Sequence, residues 1–349
     1  MRRSFVQLLT AFAVLALAAC GGGGGSNSPI APPSNPNAYP TAMPAAGDYF
    51  VYSSSVTPTL PAGSPPTERT VTRNFLIVNA DGSLTRADTV STFNSLASRA
   101  YSADSALVSY TSGTLLCTFA PAYRSTPPRT SVVGDAYVAT STESCATQPA
   151  GSPTTVSLSD SGNAQAVETK TIPIGTFTAF KYTQTLIATS STSATTTVET
   201  CWIDKTTGRT VECTSTYSTI PTGQATVTAS GSTLFRLEAY SFNGQAPVGA
   251  AVRRFAGYWN VVFGGSSTGD CSNLIVDING QVSGSCRFLT SVGVYAPSFT
   301  ASGTVTAAGA ANLTATTGAT MSGTFTSPGA ASGSWTNGSA SGTWAATHI

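Results

Sequence analysis

Charged residues are scarce in this 349-residue chain. Lysine and arginine number 16 and aspartate and glutamate 15, so 9% of the residues are charged and the formal net charge is +1. An average soluble protein carries about 25% charged residues. No basic patch or basic helix is present, so the sequence gives no support for nucleic-acid binding. Serine, threonine, glycine and alanine take the place of charge, which is typical of exported β-proteins and argues against long salt-bridged helices.

Histidine is nearly absent, and this limits the catalytic chemistry that the chain can carry. Residues 265–269 match G-x-S-x-G around Ser267, and Asp277 and His348 follow in the order of a hydrolase triad. That motif needs a helix after the serine, whereas the residues after Ser267 predict a strand and a hairpin. His348, the single histidine, lies next to the C-terminal residue, where fraying is expected. The acidic residues are scattered and suggest no catalytic pair, so the sequence favours a non-catalytic protein and nominates no catalytic residue.

Metal and cofactor motifs are also missing. Residues 77–88 resemble a calcium loop, but Ile77 stands at the first ligand position and no helices flank the segment. An Asp-Gly hairpin turn explains this segment, and residues 277–280 are explained in the same way. The cysteines lack C-x-x-C spacing and have no histidine near them. The sequence therefore predicts neither a metal nor a cofactor.

The N-terminus has the pattern of an export signal. Met1-Arg2-Arg3 is followed by an apolar stretch, Phe5 to Leu17, that is too short to span a bilayer. Leu17-Ala18-Ala19-Cys20 resembles the lipobox of bacterial lipoproteins, in which the signal peptide, here residues 1–19, is cut before the cysteine. The resemblance implies a membrane anchor through acylated Cys20, and Gly21 in place of aspartate implies the outer membrane. The alternative is an ordinary secretory signal peptide.

Residues 20–45 are rich in glycine, serine, asparagine and proline, which predicts a flexible tether. A tether of this length separates the anchor from the first folded residues by roughly 25–30 Å. No second apolar stretch reaches transmembrane length, so membrane attachment depends on Cys20 alone.

Six of the seven cysteines remain once Cys20 is assigned to lipidation, an even number that predicts disulfides in an oxidising compartment. A three-residue turn at Thr206–Gly208 and a four-residue loop at Asp277–Gly280 would each close a hairpin between two cysteines. The third pair follows by elimination. The predicted disulfides are Cys201–Cys213, Cys271–Cys286 and Cys117–Cys145.

Residues 46–243 predict a first domain of antiparallel strands, because no stretch has a helical period with caps. Two segments, Ile172–Lys181 and Trp202–Gly208, match P-x-G-T-F-x-A-x-K and W-x-D-x-x-T-G. This pattern resembles many uncharacterised bacterial exported proteins. The resemblance implies a curved antiparallel sheet reminiscent of the periplasmic lipoprotein carriers, and it is specific to no activity.

Residues 244–254 predict a linker, and residues 255–349 a second domain built on a repeat. The unit Ser-Gly-Ser/Thr occurs five times in strands about ten residues apart. Read with a period of two, hydroxyl side chains fall on one face and glycine, aliphatic and aromatic side chains on the other. This alternation predicts an antiparallel meander of about eight strands that closes into a small barrel. The fold class is therefore all-β throughout.

The inward glycines of the repeat would make room for bulky neighbours, above all tryptophan. Two interpretations stay open. Either the aromatic side chains fill the barrel, or they line a pocket for a small apolar ligand. In the second case the ligand contacts are Trp259, Phe263, Trp335 and Trp344.

Together these patterns predict a lipid-anchored outer-membrane lipoprotein with a non-catalytic binding or structural role at the cell envelope. The anchor, tether and terminal barrel are similar to transferrin-binding-protein-type surface lipoproteins. That resemblance implies a surface receptor or adhesin with an envelope or extracellular protein partner. A periplasm-facing carrier of a small apolar ligand is a further alternative, and a hydrolase of unrecognised type is the weakest. The sequence leaves open which face of the membrane the domains occupy.

Overall fold

The computed structural model describes residues 35–90, 93–149, 151–289, 295–296, 298–327 and 329–348. The signal peptide, Cys20 and most of the tether lie outside the described residues. Within these ranges, no helix is both long and apolar enough to cross a membrane.

The first part of the chain forms one antiparallel sheet whose strands follow sequence order. Its thirteen strands are β1 Tyr49–Leu60, β2 Thr67–Val78, β3 Leu84–Val90, β4 Phe93–Tyr101, β5 Leu107–Ser112, β6 Leu115–Tyr123, β7 Ala136–Thr147, β8 Thr154–Ile172, β9 Gly175–Thr189, β10 Ser193–Asp204, β11 Thr210–Pro221, β12 Ala229–Ser241 and β13 Val248–Gly249.

The sheet closes on itself because β1 pairs with β12 as well as with β2. The predicted curved antiparallel sheet is therefore a twelve-stranded barrel, and β13 extends it from β12. Sheets of long strands twist and coil, and closure removes the exposed edges that an open sheet would leave. The last part of the predicted tether packs on this barrel instead of being free. Tyr39 is buried, packs edge-on against Phe180 at 5.2 Å between ring centres, and its backbone N–H donates to the Ser131 carbonyl at 2.8 Å.

A 3-10 helix, Ala251–Phe255, joins this barrel to a second one, so the predicted linker carries both β13 and a helical turn. The second barrel is closed, antiparallel and eight-stranded, as predicted. Its strands are β14 Gly257–Gly265, β15 Thr268–Val276, β16 Gln281–Leu289, β17 Phe299–Val305, β18 Ala310–Ala315, β19 Thr320–Ser327, β20 Ala330–Asn337 and β21 Ala340–His348.

Three disulfides join neighbouring strands. They are the two pairs predicted from hairpin spacing, Cys201–Cys213 and Cys271–Cys286, and the pair assigned by elimination, Cys117–Cys145. The loop between β15 and β16 has the predicted four residues, Asp277–Gly280. The predicted three-residue turn between β10 and β11 is wrong, because five residues, 205–209, separate the strands. The backbone N–H of Gly208 donates to the Asp204 carbonyl and that of Thr207 to the Asp204 carboxylate, which holds the wider turn.

The two barrels touch through a small buried interface. The Thr72 hydroxyl donates to the Ala256 carbonyl at 3.0 Å. His348 lies here, with Nδ1 3.3 Å from the Asn74 amide nitrogen and its ring 4.8 Å from that of Trp259. The predicted fraying at His348 is therefore wrong, because β21 pairs with β14 up to this residue. Burial lowers the pKa of His348 to about 4, so the imidazole is neutral at physiological pH.

Candidate binding site

The glycines of the repeat make room for tryptophan inside the small barrel. A Cβ atom on Gly323 would lie 2.4 Å from the Trp344 ring, and one on Gly333 would lie 2.7 Å from its indole nitrogen. That indole N–H donates to the carbonyls of Ser322 and Ser334, at 3.2 Å each. Trp344 is therefore held in place both by close packing against these glycines and by its hydrogen bonds.

Trp259 fills the end of the small barrel that faces the first barrel. Its side chain is fully buried, its ring centre lies 4.6 Å from that of Phe325, and its indole N–H donates to the Phe255 carbonyl at 2.8 Å. Of the four predicted ligand contacts, Trp259 and Trp344 are therefore packed into the barrel core. At these two positions, aromatic side chains fill the barrel and line no pocket.

The opposite end of the small barrel holds a cavity of about 60 Å³, which we call the cup. The other two predicted contacts, Phe263 and Trp335, both line it, with ring centres 6.2 Å apart. Phe288 and Phe299 are stacked at 4.7 Å beside Phe263. The remaining lining residues are Ser267, Cys271, Cys286, Ala315, Ala319, Met321, Asn337 and Ala340. The cup is apolar inside, with Ser267 and Asn337 as its polar side chains.

The lining of the cup contains no charged side chain. One ion pair lies beside it, between Arg287 and Asp270, and the Arg287 guanidinium covers the Tyr295 ring at 3.6 Å. No aspartate, glutamate, lysine or arginine occurs from residue 288 to the end of the chain. Two large apolar side chains at this end, Leu289 and Tyr295, are 39% and 45% exposed. The cup has the apolar lining and few polar groups of a recognition site, but it is much smaller than the roughly 300–1,000 Å³ of a small-molecule pocket.

The residues of the rejected hydrolase triad lie far apart. Ser267 stands in the turn before β15 and Asp277 directly after β15, so nine residues of strand, about 30 Å, separate them. His348 lies at the end of the barrel away from Ser267. The structure therefore brings no serine triad together from these residues.

Both rejected calcium loops are hairpin turns. The Asp81 carboxylate accepts hydrogen bonds from the backbone N–H and hydroxyl of Ser83, and Asp277 accepts from the N–H groups of Asn279 and Gln281. Such bonds within the turn are the ordinary chemistry of aspartate at these positions.

Charged side chains that are scattered along the sequence come together inside the twelve-stranded barrel. Asp88 accepts two hydrogen bonds from Arg86, at 2.6 and 2.8 Å, and its other ion pair is with Arg99 at 2.8 Å. Arg86 lies over the Tyr101 ring and Arg99 over the Tyr110 ring. Burial alone would raise the pKa of Asp88, but the arginines outweigh it and hold the pKa below its usual range.

An acidic group lies on the other side of the same interior. Gln184 donates to the Glu199 carboxylate at 2.7 Å and accepts from the Tyr137 hydroxyl at 2.6 Å. Tyr137 reaches across β8 because the residue opposite is Gly162, where a Cβ atom would lie 2.7 Å from the tyrosine oxygen. Asp160 is fully buried on the same strand. These groups face inward through strand alternation, a signal present in the sequence, but the acidic residues are scattered along the chain and no pair among them was predicted.

The acidic group makes the stability of the first barrel pH-dependent. Burial raises the pKa of Asp160 from its ordinary 3.8 to about 7. Burial and repulsion by Asp160 raise the pKa of Glu199 from its ordinary 4.5 to about 8. Protons therefore favour the folded state, and this contribution is lost as the pH rises through these two values. We expect the free energy of unfolding to fall between pH 7 and pH 9, where His348 is already neutral. Urea titrations at several pH values would measure it.

The matched variant for this prediction is the double substitution Asp160→Asn, Glu199→Gln, which keeps the shapes and removes both titrations. Its unfolding free energy should change less over the same pH range. An equally steep pH dependence in the variant would assign the effect to other groups.

A second cavity, of about 340 Å³, is a shallow groove across the strands β6 to β9. It is lined mostly by serine and threonine, with Pro121, Leu158 and Ile187 among them. It contains no charged side chain and no enclosed apolar wall, so the cup is the stronger candidate site.

No protein-family model matches the chain, and no curated protein sequence matches it. Among solved structures, the hypothetical lipoprotein YmcC from Escherichia coli is 11% identical, with 55% of this chain and 89% of that one covered and a TM-score of 0.32. A mutant of the vaccine antigen Transferrin Binding Protein B from Haemophilus parasuis is 11% identical, with 87% and 76% covered and a TM-score of 0.18. Because both TM-scores are low, the function has to be inferred from the residues of this chain.

Proposed function

We propose that this chain is an outer-membrane lipoprotein, anchored by acylated Cys20, that binds a partner protein without catalysis. The anchor is supported by the signal sequence and by Leu17-Ala18-Ala19-Cys20. The binding role is supported by a single observation, the open apolar cup at the end of the small barrel. The partner is an envelope or extracellular protein.

The size of the cup argues for an apolar side chain of a partner and against a carried ligand. A cavity of about 150 Å³ encloses benzene, whereas the cup has about 60 Å³. It therefore accepts a group of a few carbon atoms, such as the end of an aliphatic side chain. Buried anchors of this kind, inserted into a pocket and surrounded by neutral contacts, dominate many protein interfaces. The uncharged lining of the cup favours recognition by shape and burial.

The anchor is tested by substituting Cys20. In cells fed a radiolabelled or clickable palmitate, the wild-type protein should take up the label and fractionate with outer membranes. Cys20→Ala should abolish both the label and membrane retention, because no other apolar stretch of transmembrane length follows it. Membrane retention of the unlabelled variant would contradict the proposal that the anchor is the acyl group.

The cup is tested by filling it. Xenon enters apolar cavities, so xenon pressure should shift the indole N–H signal of Trp335, which lines the cup, and leave that of Trp259 at the buried end unchanged. Ala340→Leu should abolish the shift because Ala340 also lines the cup. Ala345→Leu is the matched control, since Ala345 is on the same strand but faces solvent. A Trp335 signal that does not respond in the wild type would mean that the cup is closed to apolar groups.

The alternative role, in which the protein carries a small apolar ligand, is tested by a different measurement. A carrier isolated gently should hold a lipid or other apolar molecule that native mass spectrometry detects, whereas the proposed docking role predicts an unliganded mass. Protease treatment of intact cells then distinguishes an extracellular partner from a periplasmic one. Loss of the small barrel, with a periplasmic control intact, would assign the partner to the outside.

A further inference from the structure

We propose that the Cys117–Cys145 disulfide is a thiol–disulfide exchange site that oxidises a dithiol, with Glu143 as its proton donor. This inference is independent of the cup and rests on the surroundings of the disulfide.

Cys145 differs from the other paired cysteines in its exposure. The remaining five are at most 2% exposed, whereas Cys145 is only partly buried. An incoming thiolate must approach one sulfur of a disulfide, so access decides which bond can react in the folded protein. We therefore place the attack at the sulfur of Cys145, the one partly exposed residue of the six, with Cys117 as the leaving group.

The Glu143 carboxylate lies within reach of both sulfurs of the disulfide. Glu143 stands two residues before Cys145 on β7, so the two side chains lie on the same face of the strand. One Glu143 carboxylate oxygen is 3.4 Å from the Cys145 sulfur, and the carboxylate oxygen and the sulfurs of Cys117 and Cys145 lie within 4.8 Å of one another. The Tyr110 hydroxyl donates to the same carboxylate at 3.1 Å and holds it in place.

The burial of Cys117 makes that proton necessary. Cys117 is 0% exposed, and a thiolate left without a proton in such surroundings is strongly disfavoured. Burial also raises the pKa of Glu143, against the hydrogen bond from Tyr110 and the positive charge of Arg99. The carboxyl group can therefore carry a proton closer to neutral pH than an exposed glutamate does.

The exchange is balanced as follows. A thiolate of the dithiol forms a bond to the Cys145 sulfur, the bond between Cys145 and Cys117 breaks, and Cys117 takes the Glu143 proton. The second thiol of the dithiol, deprotonated by the Glu143 carboxylate, attacks the mixed disulfide. Cys145 then leaves and takes up a proton. The dithiol is oxidised to a disulfide and the Cys117–Cys145 pair is reduced to two thiols.

The chain contains a matched control for this site. Glu199 stands two residues before Cys201, and its carboxylate is within 4.8 Å of the Cys201 and Cys213 sulfurs. That disulfide has the same kind of acidic neighbour, but both of its cysteines are buried. The Cys201–Cys213 disulfide therefore has an acidic neighbour, but an incoming thiolate cannot reach its buried cysteines.

The test follows the reduction of each disulfide by dithiothreitol in the folded protein, with alkylation and mass spectrometry. We expect Cys117–Cys145 to open well before Cys201–Cys213. Glu143→Gln should slow its opening on the order of a hundredfold, the lower end of general acid–base contributions, while Glu199→Gln leaves that rate unchanged. After correction for the thiolate fraction of dithiothreitol, the wild-type rate should fall as the pH rises through the pKa of Glu143, and the Glu143→Gln rate should stay level.

An unchanged rate in Glu143→Gln would overturn the proposal, as would a Cys117–Cys145 pair that opens no faster than Cys201–Cys213. If Glu143→Gln does not fold, the wild-type pH profile decides alone. A level corrected profile would then overturn the role of Glu143, because access without a proton donor predicts no such fall.

Discussion

Gly333→Ala should destabilise the small barrel by about 3 kcal/mol, near the upper end of the usual cost of overpacking a core. The added Cβ would lie 2.0 Å from the Ser322 carbonyl oxygen and 2.7 Å from the Trp344 indole nitrogen. Neither atom can move freely, since one is backbone and the other is held by two carbonyls. For a unit of this size the melting temperature should fall by roughly 10 °C or more. Tryptophan fluorescence would measure this change in melting temperature, because three of the four tryptophans lie in this barrel.

Gly264→Ala is the control for this prediction. It makes the same chemical change in the same barrel, but a Cβ atom there meets nothing within 4 Å. Its melting temperature should stay close to that of the wild type. Equal losses in the two variants would mean that glycine acts through backbone freedom and not by making room for tryptophan.

Asp88→Asn should have the largest effect in the first barrel, about 3–5 kcal/mol, because it leaves two buried arginines without their counter-charge. Arg86 and Arg99 both pair with Asp88, and all three side chains are at most 5% exposed. Chemical denaturation followed by circular dichroism would measure the loss. The control is Asp104→Asn, where the ion pair with Arg124 has an aspartate that is 68% exposed. An exposed pair contributes about 0–1 kcal/mol.

If Asp88→Asn and Asp104→Asn cost the same, the arginine–aspartate group would not be the buried electrostatic centre of the barrel. A larger cost at Asp88 than at Asp104 would support it.

The small barrel could be predicted from the sequence because its repeat ties composition to geometry. Glycine, aliphatic and aromatic residues alternate with hydroxyl residues along the strands that carry the repeat, so the inward positions of Trp335 and Trp344 follow directly. The hairpin spacing of Cys271 and Cys286 predicts their disulfide. The cup could be predicted only in part. Phe263 and Trp335 were expected at a pocket, but which end of the barrel stays open depends on packing that no local pattern encodes.

The first barrel could be predicted less well, for a physical reason. Closure between β1 and β12 joins residues nearly two hundred positions apart, and nothing local in Tyr49–Leu60 indicates it. A wide barrel also has room for inward charges such as Asp160 and Glu199, which read as surface residues when taken singly. His348 shows the same limit, since its burial depends on contacts with β2 that lie far away in sequence.

The most direct test of the proposed docking role is photo-crosslinking in intact cells from a benzophenone side chain at Asn337, beside the cup. The account predicts a discrete adduct with a protein partner, which is lost when Ala340→Leu fills the cup and is kept with Ala345→Leu. A benzophenone at Asn312, on the outer wall of β18, should not form it. The same adduct from both positions, or an adduct at Asn337 that survives Ala340→Leu, would contradict the assignment of the cup as the binding site.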